Sequence, residues 1–152
     1  MTTTSISEQK FKLFFVEDDV LMLRMYQKFF TQEGFDVSIA INGAEAISEL
    51  AKMQKLPGLI ILDVMMPELN GIEVLKILKE NPNYKTIPVI IWSNLSREGD
   101  IEKALSMGAV FYLIKSEYMP QEVVAKIKEF IQAYKKKNGV PEVKIPTRAK
   151  AL

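Results

Sequence analysis

Five polar side chains stand at the ends of four apolar runs in the sequence. Glu17 and Asp18 follow the first run, Asp63 closes the second, Ser93 follows the third and Lys115 follows the fourth. The carboxyl ends of parallel strands share one edge of a sheet, where ligands bind in open α/β folds. If the four runs are parallel strands, these side chains converge on one crevice.

Three carboxylates in one crevice repel each other, and a hard cation relieves that repulsion. Mg²⁺ suits such a site because it takes one or two carboxylates, retains waters and completes its shell with a phosphate oxygen. The amine of Lys115 can supply positive charge to the same phosphate, and the hydroxyl of Ser93 can donate to another oxygen. Nucleophile, metal ion, cation and donor are the parts of a phosphoryl-transfer site.

Each of these residues also has an ordinary structural explanation. Acidic residues after a strand often cap the next helix, as we expect of Asp19. Asp63 and Ser93 are both common turn residues, and Lys115 could be a solvated surface amine. The functional interpretation is favoured because four separate strands place reactive types on the same edge.

The composition restricts the chemistry and the class of protein. The 152 residues include no His and no Cys, which excludes imidazole and thiolate chemistry within this chain. No apolar run reaches the roughly 18 residues of a transmembrane helix, and the first residues do not resemble a signal peptide, so we expect a cytoplasmic protein. The formal net charge of +1 conceals a basic end, because residues 135–152 hold six basic side chains and one acidic one.

Five strands alternate with five helices along the chain, which predicts a three-layer α/β fold with a doubly wound parallel sheet. For the strand order we adopt 2-1-3-4-5, which is common among known five-stranded sheets of this kind. Asn42 with Glu45 predicts the start of the second helix, Gly34 the end of the first, and Pro120 the first turn of the last. The predicted strands are 11–16, 35–39, 59–63, 87–92 and 110–114.

Four segments resemble the receiver domain of bacterial two-component response regulators. They are the acidic pair after Val16, the phosphoacceptor strand with its Met-Pro and Gly loop at 60–71, the hydroxyl position at Trp92-Ser93, and the aromatic-to-lysine strand at 111–115. The resemblance covers about residues 11–134 and implies a flavodoxin-like fold, similar to stand-alone chemotaxis receivers. We divide the chain into an N-terminal extension at 1–10, a receiver domain at 11–137 and a flexible basic tail at 138–152.

The resemblance implies a role for each carboxylate of the crevice. Asp63 would be the phosphoacceptor, Asp18 would bind Mg²⁺ directly and Glu17 would bind it through water. The backbone carbonyl of Met65 would complete the metal site. Because Asp19 makes the acidic run three residues long, the metal pair could shift by one position, but the alignment of the strand favours Glu17 and Asp18.

The resemblance also implies a switch. Ser93 would hydrogen-bond the phosphoryl group, Lys115 would pair with it, and Tyr112 would turn inward when the hydroxyl moves. The alternative for Tyr112 is an edge-strand aromatic with its hydroxyl in solvent. The family usually has a proline with a cis peptide bond after the lysine, whereas this chain has Ser116, so the Lys115–Ser116 bond is either held cis by its loop or trans.

The implied function is that of a stand-alone response regulator, which accepts a phosphoryl group from a sensor histidine kinase or a histidine phosphotransfer protein. Its output would be an unknown protein bound at the surface of the fourth helix, fifth strand and fifth helix. We expect no membrane partner and disfavour nucleic acid, although the basic tail could contact an acidic partner. Two alternatives stay open: a pseudo-receiver that binds partners without phosphorylation, and a small flavin-binding enzyme of the same fold.

Overall fold

The computed structural model describes residues 9–137. The predicted tail at 138–152 and most of the predicted N-terminal extension lie outside this range. Five strands and five helices alternate, as the sequence predicts, and a short 3₁₀ helix at Lys115–Glu117 was not predicted. The elements are β1 (Lys12–Val16), α1 (Val20–Gln32), β2 (Asp36–Ala40), α2 (Gly43–Lys52), β3 (Leu59–Asp63), α3 (Gly71–Glu80), β4 (Val89–Ser93), α4 (Glu98–Ser106), β5 (Phe111–Ile114) and α5 (Pro120–Lys136).

The five strands form one parallel sheet in the order β2-β1-β3-β4-β5, which confirms the expected topology. The central strand β3 has the predicted bounds, and the other strands differ from their predicted bounds by one or two residues at one or both ends. Since β1 and β3 are neighbours, with Val16 beside Leu62, the acidic residues that follow β1 lie next to the end of β3. The order of the strands therefore brings the predicted site together.

Both faces of the sheet are covered by helices. On one face, Leu23 and Phe30 of α1 and Ile127 of α5 pack against alternate residues of the central strands. On the other face, Leu50 of α2, Leu75 of α3 and parts of α4 pack against the remaining ones. Each large apolar side chain buried in this way contributes about 1.5–3 kcal/mol, and this two-sided packing makes the sheet a rigid support for its carboxyl edge.

The helix ends follow the chemistry that the sequence predicts. Asp19 accepts a hydrogen bond from the backbone N–H of Met22, and Asn42 accepts one from the N–H of Glu45. Gly34 has a φ of 93° just after α1, a left-handed conformation that suits glycine at a helix end. Asp19 therefore has the capping role expected of it, which leaves Glu17 and Asp18 for the crevice. Within residues 9–137 no helix has the length and apolar character needed to cross a membrane.

Gly71 allows the loop after β3 to lie close to the end of that strand. A Cβ atom there would lie 2.1 Å from the backbone oxygen of Asp63 and 2.7 Å from the Cα of Val64. The backbone N–H of Gly71 also donates to the carbonyl of Val64 at 2.9 Å. Any side chain at this position therefore displaces the peptide that carries Asp63.

We expect Gly71→Ala to lower the free energy of unfolding by about 3 kcal/mol, because backbone atoms must move to admit the methyl group. Gly99→Ala is the matched control, since its Cβ would meet nothing within 4 Å in α4, and a helical alanine adds up to about 1 kcal/mol. Urea unfolding followed by circular dichroism measures both. Equal stabilities of the two variants would contradict the close approach at Gly71.

Candidate functional site

Three carboxylates meet at the carboxyl edge of β1 and β3. Glu17 and Asp18 directly follow β1, and Asp63 is the last residue of β3. One oxygen from each lies within 4.8 Å of the other two. Glu17 and Asp63 are buried, with 0% and 2% of their surface exposed, whereas Asp18 is exposed. The convergence predicted from the sequence is therefore present.

Lys115 binds two of these carboxylates from the end of β5. Its Nζ lies 2.8 Å and 3.1 Å from the two carboxylate oxygens of Glu17 and 3.3 Å from Oδ1 of Asp63. Only 13% of its side chain is exposed, so the alternative of a solvated surface amine is wrong. The lysine is a partly buried counter-ion for the acidic residues of the site.

A single ammonium does not compensate three carboxylates. Burial, followed by the hydrogen bond and the charge of Glu17, raises the pKa of Asp63 from 3.8 to about 7. The pKa of Asp18 is also raised, first by burial and then by its contacts with Asp63. Both shifts have the sign expected of carboxyl groups that share a site of low polarity.

The donor set fits a divalent cation. Carboxylate oxygens are the ligands that Mg²⁺, Ca²⁺ and Mn²⁺ prefer, and a cation would relieve the repulsion among the three carboxylates. The three carboxylates open onto a surface cleft of about 370 Å³, which has room for an ion, its waters and a phosphoryl group. The cleft is lined by Glu17, Asp18, Asp19, Met22, Asp63, Met65, Asn94 and Lys115.

Ser93 and Tyr112 are joined through hydrogen bonds to Leu95. Oγ of Ser93 accepts a hydrogen bond from the backbone N–H of Leu95 at 3.1 Å, and the hydroxyl of Tyr112 donates to the carbonyl of Leu95 at 2.7 Å. Both side chains are buried, so the alternative of a solvent-exposed Tyr112 hydroxyl is wrong. A hydrogen bond with Ser93 partly offsets the burial that raises the pKa of Tyr112.

The ordinary structural roles of Asp63 and Ser93 coexist with their place in the site. Oδ1 of Asp63 accepts a hydrogen bond at 3.2 Å from the backbone N–H of Met65, two residues further along the chain. Oγ of Ser93 accepts one from the backbone N–H of Leu95 in the same way. These bonds fix the two side chains at the starts of their loops. Residues 9–137 contain no cis peptide bond, so the bond from Lys115 to Ser116 is trans.

Asn94 is a polar residue of the cleft to which the sequence analysis gave no role. It is exposed, lies immediately after β4 and lines the cleft beside Asp63 and Lys115. Ser93 was selected because the carboxyl ends of parallel strands share one edge of the sheet. The same reasoning applies equally to the next residue. Ser93 does not line the cleft, since a strand end directs consecutive side chains to different sides.

Comparison with known proteins identifies the class of this chain. The family model described as the response regulator receiver domain matches residues 13–128. The transcriptional regulatory protein CpxR homolog of Haemophilus influenzae is 36% identical over 121 residues, which are 80% of this chain and 50% of that protein. The chain therefore belongs to the response regulator receiver domain family, and it spans about half the length of the curated relatives that it matches.

Solved structures agree with this assignment. The phosphorylated cyanobacterial phytochrome response regulator RcpA is 30% identical with a TM-score of 0.72, and the alignment covers 80% of this chain and 94% of that one. The Mn²⁺-bound form of the response regulator Rcp1 is 27% identical with a TM-score of 0.70, covering 78% and 92% of the two chains. The fold is thus that of response regulator receiver domains.

The pKa of Asp63 predicts a dependence of stability on pH when divalent cations are absent. A carboxyl whose pKa is higher in the folded state than in the unfolded state lowers the stability of the fold wherever it ionises. For Asp63 this loss of stability is absent below pH 4 and is complete once the pH has risen through about 7. We expect Asp63→Asn, which cannot ionise, to be about 4 kcal/mol more stable than wild type at pH 8 and equal to it near pH 4.

Asp19→Asn is the matched control, because asparagine preserves the helix cap and Asp19 has an exposed carboxylate on the rim of the cleft. Urea unfolding in the presence of a chelator measures all three proteins at both pH values. A stabilisation of Asp63→Asn that is the same at pH 4 and pH 8 would mean that ionisation of Asp63 is not its source.

Proposed function

We propose that this chain is a response regulator that accepts a phosphoryl group on Asp63 from the phosphohistidine of a sensor kinase or a histidine phosphotransfer protein. The observation that supports this most strongly is the buried Asp63 carboxylate, which faces a cleft between the ammonium of Lys115 and two further carboxylates. This chain belongs to the receiver domain family, whose members are the phosphoacceptors of two-component signalling. The proposal places the reaction in the cytoplasm.

The transfer needs no proton donor or acceptor from this chain. An oxygen of the Asp63 carboxylate attacks phosphorus, the bond from phosphorus to the histidine nitrogen breaks, and the nitrogen keeps the electron pair. The chain contributes mainly position and charge, which are the principal means of phosphoryl-transfer catalysis. Because Asp63 is held by the backbone N–H of Met65 and faces Lys115, its reactive oxygen is oriented before the donor arrives.

A divalent cation, for which we propose Mg²⁺, would neutralise the oxygens of the phosphoryl group and those of the acidic cluster. Asp63 and Asp18 would bind it directly, Glu17 through a water molecule, and Met65 through its backbone carbonyl. The assignment of Glu17 to the outer position is supported by its two hydrogen bonds from Lys115, which already occupy both of its oxygens.

We propose that phosphorylation acts on the rest of the molecule through Lys115, Ser93 and Tyr112. A phosphoryl group on Asp63 competes with Glu17 for the ammonium of Lys115 and attracts the hydroxyl of Ser93. Since Ser93 and Tyr112 share Leu95 as a hydrogen-bond partner, movement of the serine disturbs the contacts of the tyrosine. The change would bias a two-state equilibrium of the surface formed by α4, β5 and α5, where an output protein binds.

The receiver domain at 11–137 would act as one folded unit whose output is the binding of a partner. The compact two-sided core supports an independently folding unit of this length.

The proposal predicts that wild type incubated with acetyl phosphate and Mg²⁺ gains the mass of one phosphoryl group, whereas Asp63→Asn gains none. Asp36→Asn is the control, since Asp36 is an exposed carboxylate at the start of β2 and does not line the cleft. Intact-mass spectrometry of the three proteins measures the modification. Phosphorylation of Asp63→Asn would identify another acceptor, and absence of modification in wild type would favour a pseudo-receiver.

A further inference from the structure

The cleft in front of Asp63 contains few groups that can donate a hydrogen bond to an incoming phosphoryl group. Glu17, Asp18 and Asp63 accept only when ionised, and the ammonium of Lys115 already binds Glu17 and Asp63. Met65 offers an apolar side chain. A phosphoryl group has three oxygens to satisfy, so a further donor is needed at this wall of the cleft.

Ser93 does not fill this need in the arrangement that the structure shows. Its side chain is fully buried, and its Oγ accepts from the backbone N–H of Leu95. It is not among the residues that line the cleft. Before the serine can reach a phosphoryl oxygen, its side chain must move toward the cleft.

Asn94 lines the cleft and is exposed. It follows β4 directly, and β4 lies beside β3, with Trp92 paired to Asp63. Its primary amide offers two N–H donors and carries no charge, so it can bind a phosphoryl oxygen without competing for the cation or repelling the carboxylates.

We propose that Asn94 is a further catalytic residue, whose side-chain amide donates a hydrogen bond to a phosphoryl oxygen as the group is transferred to Asp63. This inference rests on the proposed function and assigns Asn94 and Ser93 to different steps. Asn94 binds the phosphoryl group as it enters, and Ser93 responds after the bond to Asp63 has formed. Donation by Asn94 leaves its protons in place.

The test is the rate of phosphorylation of Asp63 by acetyl phosphate at saturating Mg²⁺, measured by intact mass. The acetate oxygen leaves phosphorus with the electron pair as the bond to Asp63 forms, so no other reactant enters. We expect Asn94→Ala to be about tenfold slower, since a hydrogen bond to a charged group is lost. We expect Asn94→Asp to be slower still, because its carboxylate repels the phosphoryl oxygens.

Ser96→Ala is the matched control, an exposed polar residue of the same loop that does not line the cleft, and it should react at the wild-type rate. Beryllium fluoride, which imitates a phosphoryl group on a carboxylate, gives a second readout: its affinity should fall in Asn94→Ala while that for Mg²⁺ alone is unchanged. If Asn94→Ala keeps the wild-type phosphorylation rate and the wild-type affinity for beryllium fluoride, the role of Asn94 is overturned but the proposed function is not. Failure of wild type to accept either probe would overturn the proposed function as well.

Discussion

The repulsion among Glu17, Asp18 and Asp63 is the constraint on which the site depends. Two of these carboxylates are buried, and one lysine lies between them. Such an arrangement is unfavourable for folding, as the raised pKa of Asp63 indicates. In the proposed function, the same imbalance would create affinity for a cation and, with it, for a phosphoryl group. Lys115 limits the cost without removing the imbalance.

The rest of the fold serves to hold these charges in place. Adjacent β1 and β3 set the separation of Glu17 and Asp63, and helices on both faces fix the two strands. Gly71 allows the loop after β3 to approach the backbone of Asp63. The long-range pairing of Lys115 with Glu17 then connects β5 to β1 across the edge of the sheet. The packed sheet thus stabilises the fold, whereas the clustered charges at its edge destabilise it.

The sequence predicted the parts of this arrangement that depend on pattern. Apolar runs that end in Glu17, Asp63 and Lys115 indicate strands, and the common order of such strands indicates a shared edge. Which atoms bind each other depends on side-chain geometry, which no periodicity encodes. The preference of Lys115 for Glu17, the partners of Ser93 and the position of Asn94 in the cleft required the structure. The trans bond at Ser116, which the sequence left open, also follows only from the structure.

The affinity for Mg²⁺ as a function of pH tests most directly whether the acidic cluster is a cation site. A cation binds the ionised carboxylates, so with the pKa of Asp63 at about 7 protons compete with it below that pH. Calorimetric titration of the unphosphorylated protein should show a Kd about tenfold lower at pH 8 than at pH 6, with uptake of Mg²⁺ accompanied by proton release. An equal Kd at both pH values, or no binding at either, would contradict the account.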